Sequence, residues 1–295
     1  MAAITIKSCA VTGAGGYVGG CIAAALRRRE VNVIELNRPA FQLQQPFSPA
    51  IFGGADALVH CAYDFAAAGR EAIWKANVDG SIRLFEAAKS AGITRTIFIS
   101  SMSAFTGCRS LYGQAKLAVE AQAPRLGLII VRPGLVWGNA PRGMIGAMLK
   151  VCSLPLLTPL IGRGNQVSYL AHEDDLGDLF CALLGSANAP IARPILAAAE
   201  PGMTFRHVLE ILSQAAGRRR KIFLPVPPIV VSAGLKTLET TGLRMRMRSD
   251  SLVGLLNPDP APDFSATRQT GVKFRPFSAA AIVNPGHPPR YRPPG

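Results

Sequence analysis

The chain has 295 residues, enough for one large domain or two unequal ones, and its 49% hydrophobic and 17% charged residues exclude a disordered chain. Lys and Arg outnumber Asp and Glu by 32 to 18, an excess that draws anionic ligands such as phosphates. The cations are scattered except at 27–29, 218–221 and 244–248, and the first two runs read as solvated helix ends, which makes nucleic acid an unfavoured partner.

Residues 4–10, apolar and β-branched, predict a first strand, and the alanine-rich run 21–29 predicts a helix with cations near its end. Between them lies VTGAGGYVGG (11–20), with Gly13, Gly16 and Gly19 spaced Gly-x-x-Gly-x-x-Gly. A strand, a glycine-rich turn and a helix in that order form an anion site, because the turn leaves backbone N–H groups free and the helix dipole points its positive end at the same spot. VNVIEL (31–36) and ADALVHCA (55–62) predict strands, 71–92 a helix closed by Gly92, RTIFIS (95–100) a strand, 112–122 a helix, and GLIIVRP (127–133) a strand that stops at Pro133. Strands of this kind, separated by helices, require a parallel sheet with right-handed crossovers. The chain then becomes proline-rich. The apolar stretch 143–162 is interrupted by Lys150, Pro155 and Pro159, so no uncharged run reaches the roughly 18 residues of a membrane helix. Helices follow over 172–186, 204–217 and about 229–240, and the tail 284–295 carries too many prolines to join a core.

The fold class is therefore α/β: a Rossmann-type doubly wound parallel sheet over 1–160, completed by later segments, with a smaller, mainly helical substrate-binding region over 161–283. Six cysteines without a CxxC pair read as small hydrophobes of a reduced, cytoplasmic protein, and no spacing marks a metal site.

The end of the second strand is where a dinucleotide's ribose is read: Asp or Glu there favours NAD, and Arg favours the 2′-phosphate of NADP. Here Glu35 lies inside the strand and Asn37 and Arg38 stand at its end, which favours NADP, with NAD as the alternative. Farther on, FISSMSAFTGCRSLYGQAKLAVE (98–120) places Tyr112 and Lys116 on one helix face, four residues apart. A tyrosine is a poor base at its usual pKa of about 10. A nearby ammonium stabilises the phenolate, and the phenol then exchanges a proton with a carbinol or ketone oxygen while a hydride moves to or from a nicotinamide.

These segments together resemble the extended short-chain dehydrogenase/reductases of the NAD-dependent epimerase/dehydratase group. The resemblance rests on TGAGGYVG (12–19), DALVHCAYD (56–64), NVDGSIRLFEAAKSAG (77–92), IFISSMSAF (97–105), YGQAK (112–116), VRPGLVWG (131–138) and HEDDLGDLF (172–180), in the family's order. It implies that Tyr112 is the acid/base, Lys116 its partner and a ribose ligand, and Ser101 the hydroxyl that orients substrate. It further implies that Tyr17 and Val18 offer backbone N–H groups to the pyrophosphate, that Cys61, Ala62 and Tyr63 line the ribose and nicotinamide side, that Asn77 supports the cofactor, and that Pro133 to Val136 meet the carboxamide. Asp56, Asp174 and His60 read as structural.

Some positions depart from the family pattern. Thr106 separates the aromatic at 105 from the glycine that usually follows directly, so Met102 and Ser103 compete with Ser101. Gln42 and Leu43 stand where an acidic residue often reads adenine. Gln166 and Val167 stand where an arginine often holds a substrate diphosphate, leaving Arg163 or 244–248 to supply cations. The resemblance points first to a nucleotide-sugar epimerase or 4-keto reductase, with a homodimer built through a four-helix bundle. The alternative enzyme is an NADP-dependent ketone reductase or alcohol dehydrogenase for an apolar substrate, with 143–162 lining its pocket. A non-catalytic NADP-binding scaffold or sensor is the reading outside catalysis.

Overall fold

Apolar runs ended by glycine, proline or a polar cap set out the first half of the chain. Ser8–Thr12 (β1), Tyr17–Arg28 (α1), Asn32–Leu36 (β2) and Ala57–His60 (β3) lead to Arg70–Ile73 (α2), a π-turn at Trp74–Asp79 and Gly80–Ser90 (α3). Arg95–Ile99 (β4), Leu111–Glu120 (α4), Ala123–Leu126 (α5) and Leu128–Pro133 (β5) follow. The second half runs Leu135–Trp137 (β6), Gly143–Ser153 (α6), Leu157–Ile161 (β7), Val167–Ser168 (β8), Leu170–His172 (β9), Glu173–Gly185 (α7) and Ile195–Ala197 (β10). It closes with Met203–Thr204 (β11), Phe205–Ala215 (α8), Ile222–Val226 (β12), Pro228–Thr240 (α9), Ser249–Leu256 (α10) and Ser265–Gln269 (α11). This computed structural model describes residues 6–186, 193–218, 221–240 and 249–282, so the basic run 244–248 and the proline-rich tail 284–295 lie outside the described residues.

The main sheet has the order β2-β1-β3-β4-β5-β10 and is parallel throughout. β3 and β10 are buried along their whole length and β4 and β5 nearly so, as continuous apolar runs require, while β2 forms a half-exposed edge. The first strand starts at Ser8 rather than residue 4, because its pairing begins at Asn32 and the Asp56 carboxylate takes the backbone N–H groups of Lys7 and Ser8 at 2.8 Å each. The helix expected over 71–92 runs on through the π-turn at Trp74–Asp79 with helical dihedrals at its junctions, and the π-turn aims Asn77 at the loop after β3. Thr204 caps α8 through the His207 N–H, as its place before the apolar periodicity predicts.

Each sheet face carries its own core. Ile22, Leu26, Leu176 and Phe180 of α1 and α7 cover one side, and Leu84, Phe85 and Val119 of α3 and α4 the other. Gly177 permits the α1–α7 contact, since a Cβ there would lie 2.5 Å from the Ala25 Cβ. A third cluster around Trp137, Ile145, Leu160, Val208 and Leu212 organises the C-terminal half. The strand order reverses beside β1, with β2 on one side and β3 on the other, and in open α/β sheets a ligand crevice lies at the C-terminal ends of such strands.

Candidate active site

Backbone geometry builds the first part of the site. Gly13 leaves β1 at φ 68°, and a Cβ on it would meet the Ala62 backbone at 3.0 Å, so the β1 and β3 loops touch there. A Cβ on Gly19 would lie 2.3 Å from the Gly13 carbonyl oxygen, so helix and turn also touch. Gly16 caps α1 without a side-chain bond and the first turn holds no acid, which leaves its N–H groups to an anion. Gly13, Gly16, Asn37, Arg38, Cys61, Ala62 and Tyr63 line one cavity of about 320 Å³. Tyr17 and Val18 begin α1 beside it, and Tyr17 lines a neighbouring cleft with Arg142 and Glu173. The glycine turn is thus a cradle of the shape a dinucleotide diphosphate fills.

At the ribose end, Asn37 is already engaged: its Oδ1 accepts the Gly15 N–H at 2.8 Å and its Nδ2 donates to Glu35 at 2.9 Å. Glu35 is turned outward and pairs with Arg27 at 2.5 Å. Arg38 reaches across the cavity mouth to Asp64 at 2.9 Å. Burial works to raise the Asp64 pKa, but hydrogen bonds from Arg38, the Ala66 N–H and Gln44 outweigh it and hold the carboxyl below its ordinary value. Asn77 exchanges two hydrogen bonds with the Asp64 backbone, at 2.6 and 3.2 Å, so it fixes this loop rather than the cavity wall.

A buried polar chain lies beneath. Thr12 Oγ1 accepts the N–H groups of Cys61 and Ala62 at 3.1 Å each and contacts His60 Nδ1 at 2.6 Å. His60 Nε2 meets Ser81 Oγ at 2.9 Å, and Ser81 donates to the Asn77 carbonyl. One proton arrangement satisfies every member: Thr12 donates to Nδ1, and Nε2–H donates to Ser81. Burial, with Lys116 adding to it, holds His60 well below its ordinary pKa, so it stays neutral.

Tyr112 and Lys116 stand on α4. Ser110 caps this helix through the Gly113 N–H, and the Asp250 carboxylate of α10 takes the N–H groups of Leu111 and Tyr112 at 2.7 and 2.8 Å. Gly113 is in turn required by close approach, since a Cβ there would lie 2.1 Å from the Ser103 carbonyl oxygen. Burial pushes the Tyr112 phenol up to about 12, against a hydrogen bond from Ser101. The Lys116 amine donates to the Ile99 carbonyl at 2.7 Å and lies 4.6 Å from the Phe98 ring centre and 5.9 Å from that of Tyr112. Burial pulls its pKa down to about 8, with Cys61 and Glu120 opposing. Without a cofactor the pair is therefore a phenol beside an ammonium at neutral pH. One turn beyond Lys116, Glu120 binds the Ser100 hydroxyl and takes both Arg132 nitrogens, at 2.9 and 2.6 Å.

Ser101, Ser103, Pro133, Leu135, Met144, Ser168, Tyr169, Ser251, Leu255 and Asp259 line a second cavity, which opens on Ser101. The Ser101 hydroxyl acts to lower the Tyr112 pKa and accepts the Ser103 N–H at 3.1 Å, while Ser103 faces α10 near Gly254. Val136 pairs with Ala171 and packs against the core instead of lining either cavity. Of the stretch 143–162 only Met144 lines this second cavity, the rest being core and surface, and Arg163 does not line it. Asp250, Asp64 and Glu120 escape sequence reasoning: Asp250 lies 138 positions from Tyr112, and no periodicity links them. Among the described residues no cluster of His, Cys, Asp and Glu is arranged to hold a metal ion.

The model of the NAD dependent epimerase/dehydratase family matches residues 9–195. An uncharacterized protein, y4nG, of Sinorhizobium fredii is 27% identical over 265 residues, covering 78% of this chain and 66% of that protein. A ceramide reductase of Caulobacter vibrioides is 28% identical over 189 residues, covering 62% and 57%. The chain thus spans less than two thirds of the length of either curated relative. A UDP-glucose 4-epimerase of Thermus thermophilus, solved with NAD, superposes with a TM-score of 0.62 at 18% identity over 84% of this chain and 97% of its own.

Proposed function

Because the chain belongs to the NAD-dependent epimerase/dehydratase family of enzymes, we propose that it is an NADP-dependent oxidoreductase interconverting a ketone and a secondary alcohol on a neutral, partly apolar substrate. The observation that carries this reading is the lining of the second cavity. Met102, Leu135, Met144, Val167 and Leu255 form its apolar wall, serines supply hydroxyls, and among the described residues the single charge is the carboxylate of Asp259. Among the described residues no cation stands beside that carboxylate to meet a nucleotide-sugar diphosphate, and an unpaired anion leaving water is costly. The Ser168 hydroxyl is buried without a partner on this wall, a place for one polar group of the substrate. The ceramide reductase relative, by its name, acts on a lipid amphiphile, and this supports a ketone carried by a neutral long-chain molecule.

The glycine cradle would hold the dinucleotide diphosphate, and Arg38 would meet a 2′-phosphate where Asn37 is already committed to the Gly15 loop. The nicotinamide supplies or takes the hydride. Ser101 orients the substrate oxygen, and Tyr112, protonated at neutral pH, donates its proton to that oxygen in the reductive direction. The Lys116 ammonium stabilises the phenolate this leaves. Phe65, 6.1 Å from Tyr112 between ring centres, and Tyr63, 4.9 Å away, pack against the phenol ring.

The second reading, a nucleotide-sugar epimerase or 4-keto reductase, is favoured by the fold shared with UDP-glucose 4-epimerases. NADPH consumption with neutral long-chain ketones and with nucleotide 4-keto sugars separates the two. Turnover of the sugars alone would replace the first reading by the second. The Tyr112→Phe enzyme is expected to lose about three orders of magnitude in kcat while binding cofactor as before. Equal turnover by that variant would remove the mechanism altogether.

A further inference from the structure

β7 and β12 form a two-stranded parallel ribbon away from the main sheet, with Leu157 opposite Ile222 and Leu224 opposite Pro159. The two sides of β7 differ in the usual period of two: Thr158 and Leu160 are buried, whereas Leu157 and Pro159 are exposed. Ile222 and Leu224 continue that outer face on β12. An outer face normally carries polar side chains, and this one is aliphatic. Its ends extend it further, through Leu154 and Leu156 before β7 and Ile229 and Val230 at the start of α9. Leu156 is 74% and Ile229 78% exposed. Leu156 also sits at φ 60°, a backbone region unfavourable to leucine, so its side chain stands in water from a strained position and gains no packing there.

The sequence segments that carry the ribbon hold charges of one sign. Residues 143–172 and 211–238 contain Lys150, Arg163, Arg218, Arg219, Arg220, Lys221 and Lys236 and no Asp or Glu. The contrast with the other basic run is direct. Arg27, Arg28 and Arg29 pair with Glu35, Asp174 and Asp178. Arg218 and Lys221 instead donate to the backbone carbonyls of Ser153 and Leu154, beside the apolar face, and among the described residues neither pairs with a carboxylate.

We propose that this face, made of β7, β12 and the first turn of α9, docks on an anionic lipid bilayer surface. Aliphatic side chains flanked by cations suit the boundary between acyl chains and acidic headgroups. A second copy of the chain suits it less, because a two-fold contact would set the two cationic flanks together with no carboxylate between them. The attachment is interfacial, since among the described residues no helix is long and apolar enough to cross a membrane. The face shares no residue with the lining of the substrate cavity, so the docking surface and the proposed reaction stand or fall separately.

Co-sedimentation of the full chain with vesicles tests it, using phosphatidylcholine alone and phosphatidylcholine mixed with phosphatidylglycerol. The chain is expected to bind the anionic vesicles and to bind neutral ones weakly. The Leu156→Asn/Ile222→Ser/Ile229→Ser variant is expected to lose about tenfold or more of that partition while keeping its melting temperature and dinucleotide binding. The Arg218→Glu variant and added salt should each weaken binding to the anionic vesicles. If the triple variant does not fold, Ile229→Ser alone carries the test. Failure to bind anionic vesicles would overturn the proposal. So would undiminished binding by the apolar variants, which would reduce the effect to bulk charge, or a dimer in sedimentation velocity that the triple variant dissolves, which would make a second copy the occupant.

Discussion

The glycine-lined cavity and the serine-lined cavity are made by different means. The dinucleotide cradle is shaped by backbone: Gly13 lies against Ala62, Gly19 against the Gly13 carbonyl, and Thr12 ties the β1 end to the loop after β3. The substrate cavity is shaped by side chains gathered from the loop after β4, from α6, from β8 and its neighbours, and from α10. A wall of backbone atoms cannot yield to an added methyl group, whereas a wall of side chains can reorient. The first region therefore tolerates little sequence change, and the second can change its ligand by substitution.

The largest test of this contrast is Gly19→Ala. Its Cβ would sit 2.3 Å from a carbonyl oxygen, so dinucleotide binding by calorimetry should disappear. The matching change Gly254→Ala, 3.2 Å from the Ser103 hydroxyl, should raise the substrate KM a few-fold and leave dinucleotide affinity alone. If both variants behave alike, the distinction between the two walls fails.

Lys116 offers the next largest effect, because its burial opposes stability while its charge serves the site. The folded protein holds its pKa at about 8, below the ordinary 10.5, so between these values the unfolded chain binds more protons and stability rises with pH. Lys116→Met should lose most of kcat, melt at a higher temperature than the parent near pH 7, and show a smaller gain in melting temperature between pH 8 and 10. A Lys116→Met variant that melts lower would mean that the Ile99 and Phe98 contacts outweigh the burial.

Smaller still is Arg38→Ala, expected to reduce the NADPH over NADH preference about tenfold, read as the ratio of dissociation constants. An unchanged ratio would place the ribose selectivity elsewhere. Asp250→Asn should have the least effect, removing about 0.5–1 kcal/mol of charge–dipole stabilisation at the start of α4. A small fall in melting temperature with cofactor affinity intact is the expected result, and loss of cofactor binding would show that α10 supports both cavities.

Legibility in the sequence followed the same division. The glycine spacing, the engaged strand ends and the Tyr112/Lys116 pair are short-range patterns, and each fell where the sequence placed it. The choice between Ser101 and Ser103 was not readable, because Thr106 blurs the spacing; both line the second cavity, and Ser101 is the one that acts on the Tyr112 pKa. Asp250 and the Arg38–Asp64 pair were missed because their partners lie far away in the chain or across a loop. The helix over 71–92 was legible, but not the π-turn within it, which keeps helical dihedrals at both ends.

The sequence by itself determined the parallel sheet, the glycine turn between β1 and α1, and the placing of Tyr112 and Lys116 on one helix face, because each depends on residues close enough for backbone geometry to fix their relation. The tertiary structure alone decided the apolar and serine-lined wall of the second cavity, the burial that shifts Tyr112 and Lys116, and the apolar face on β7 and β12. Those properties depend on burial and on side chains from distant segments, and no local pattern records how much water such groups will lose when the chain closes on itself.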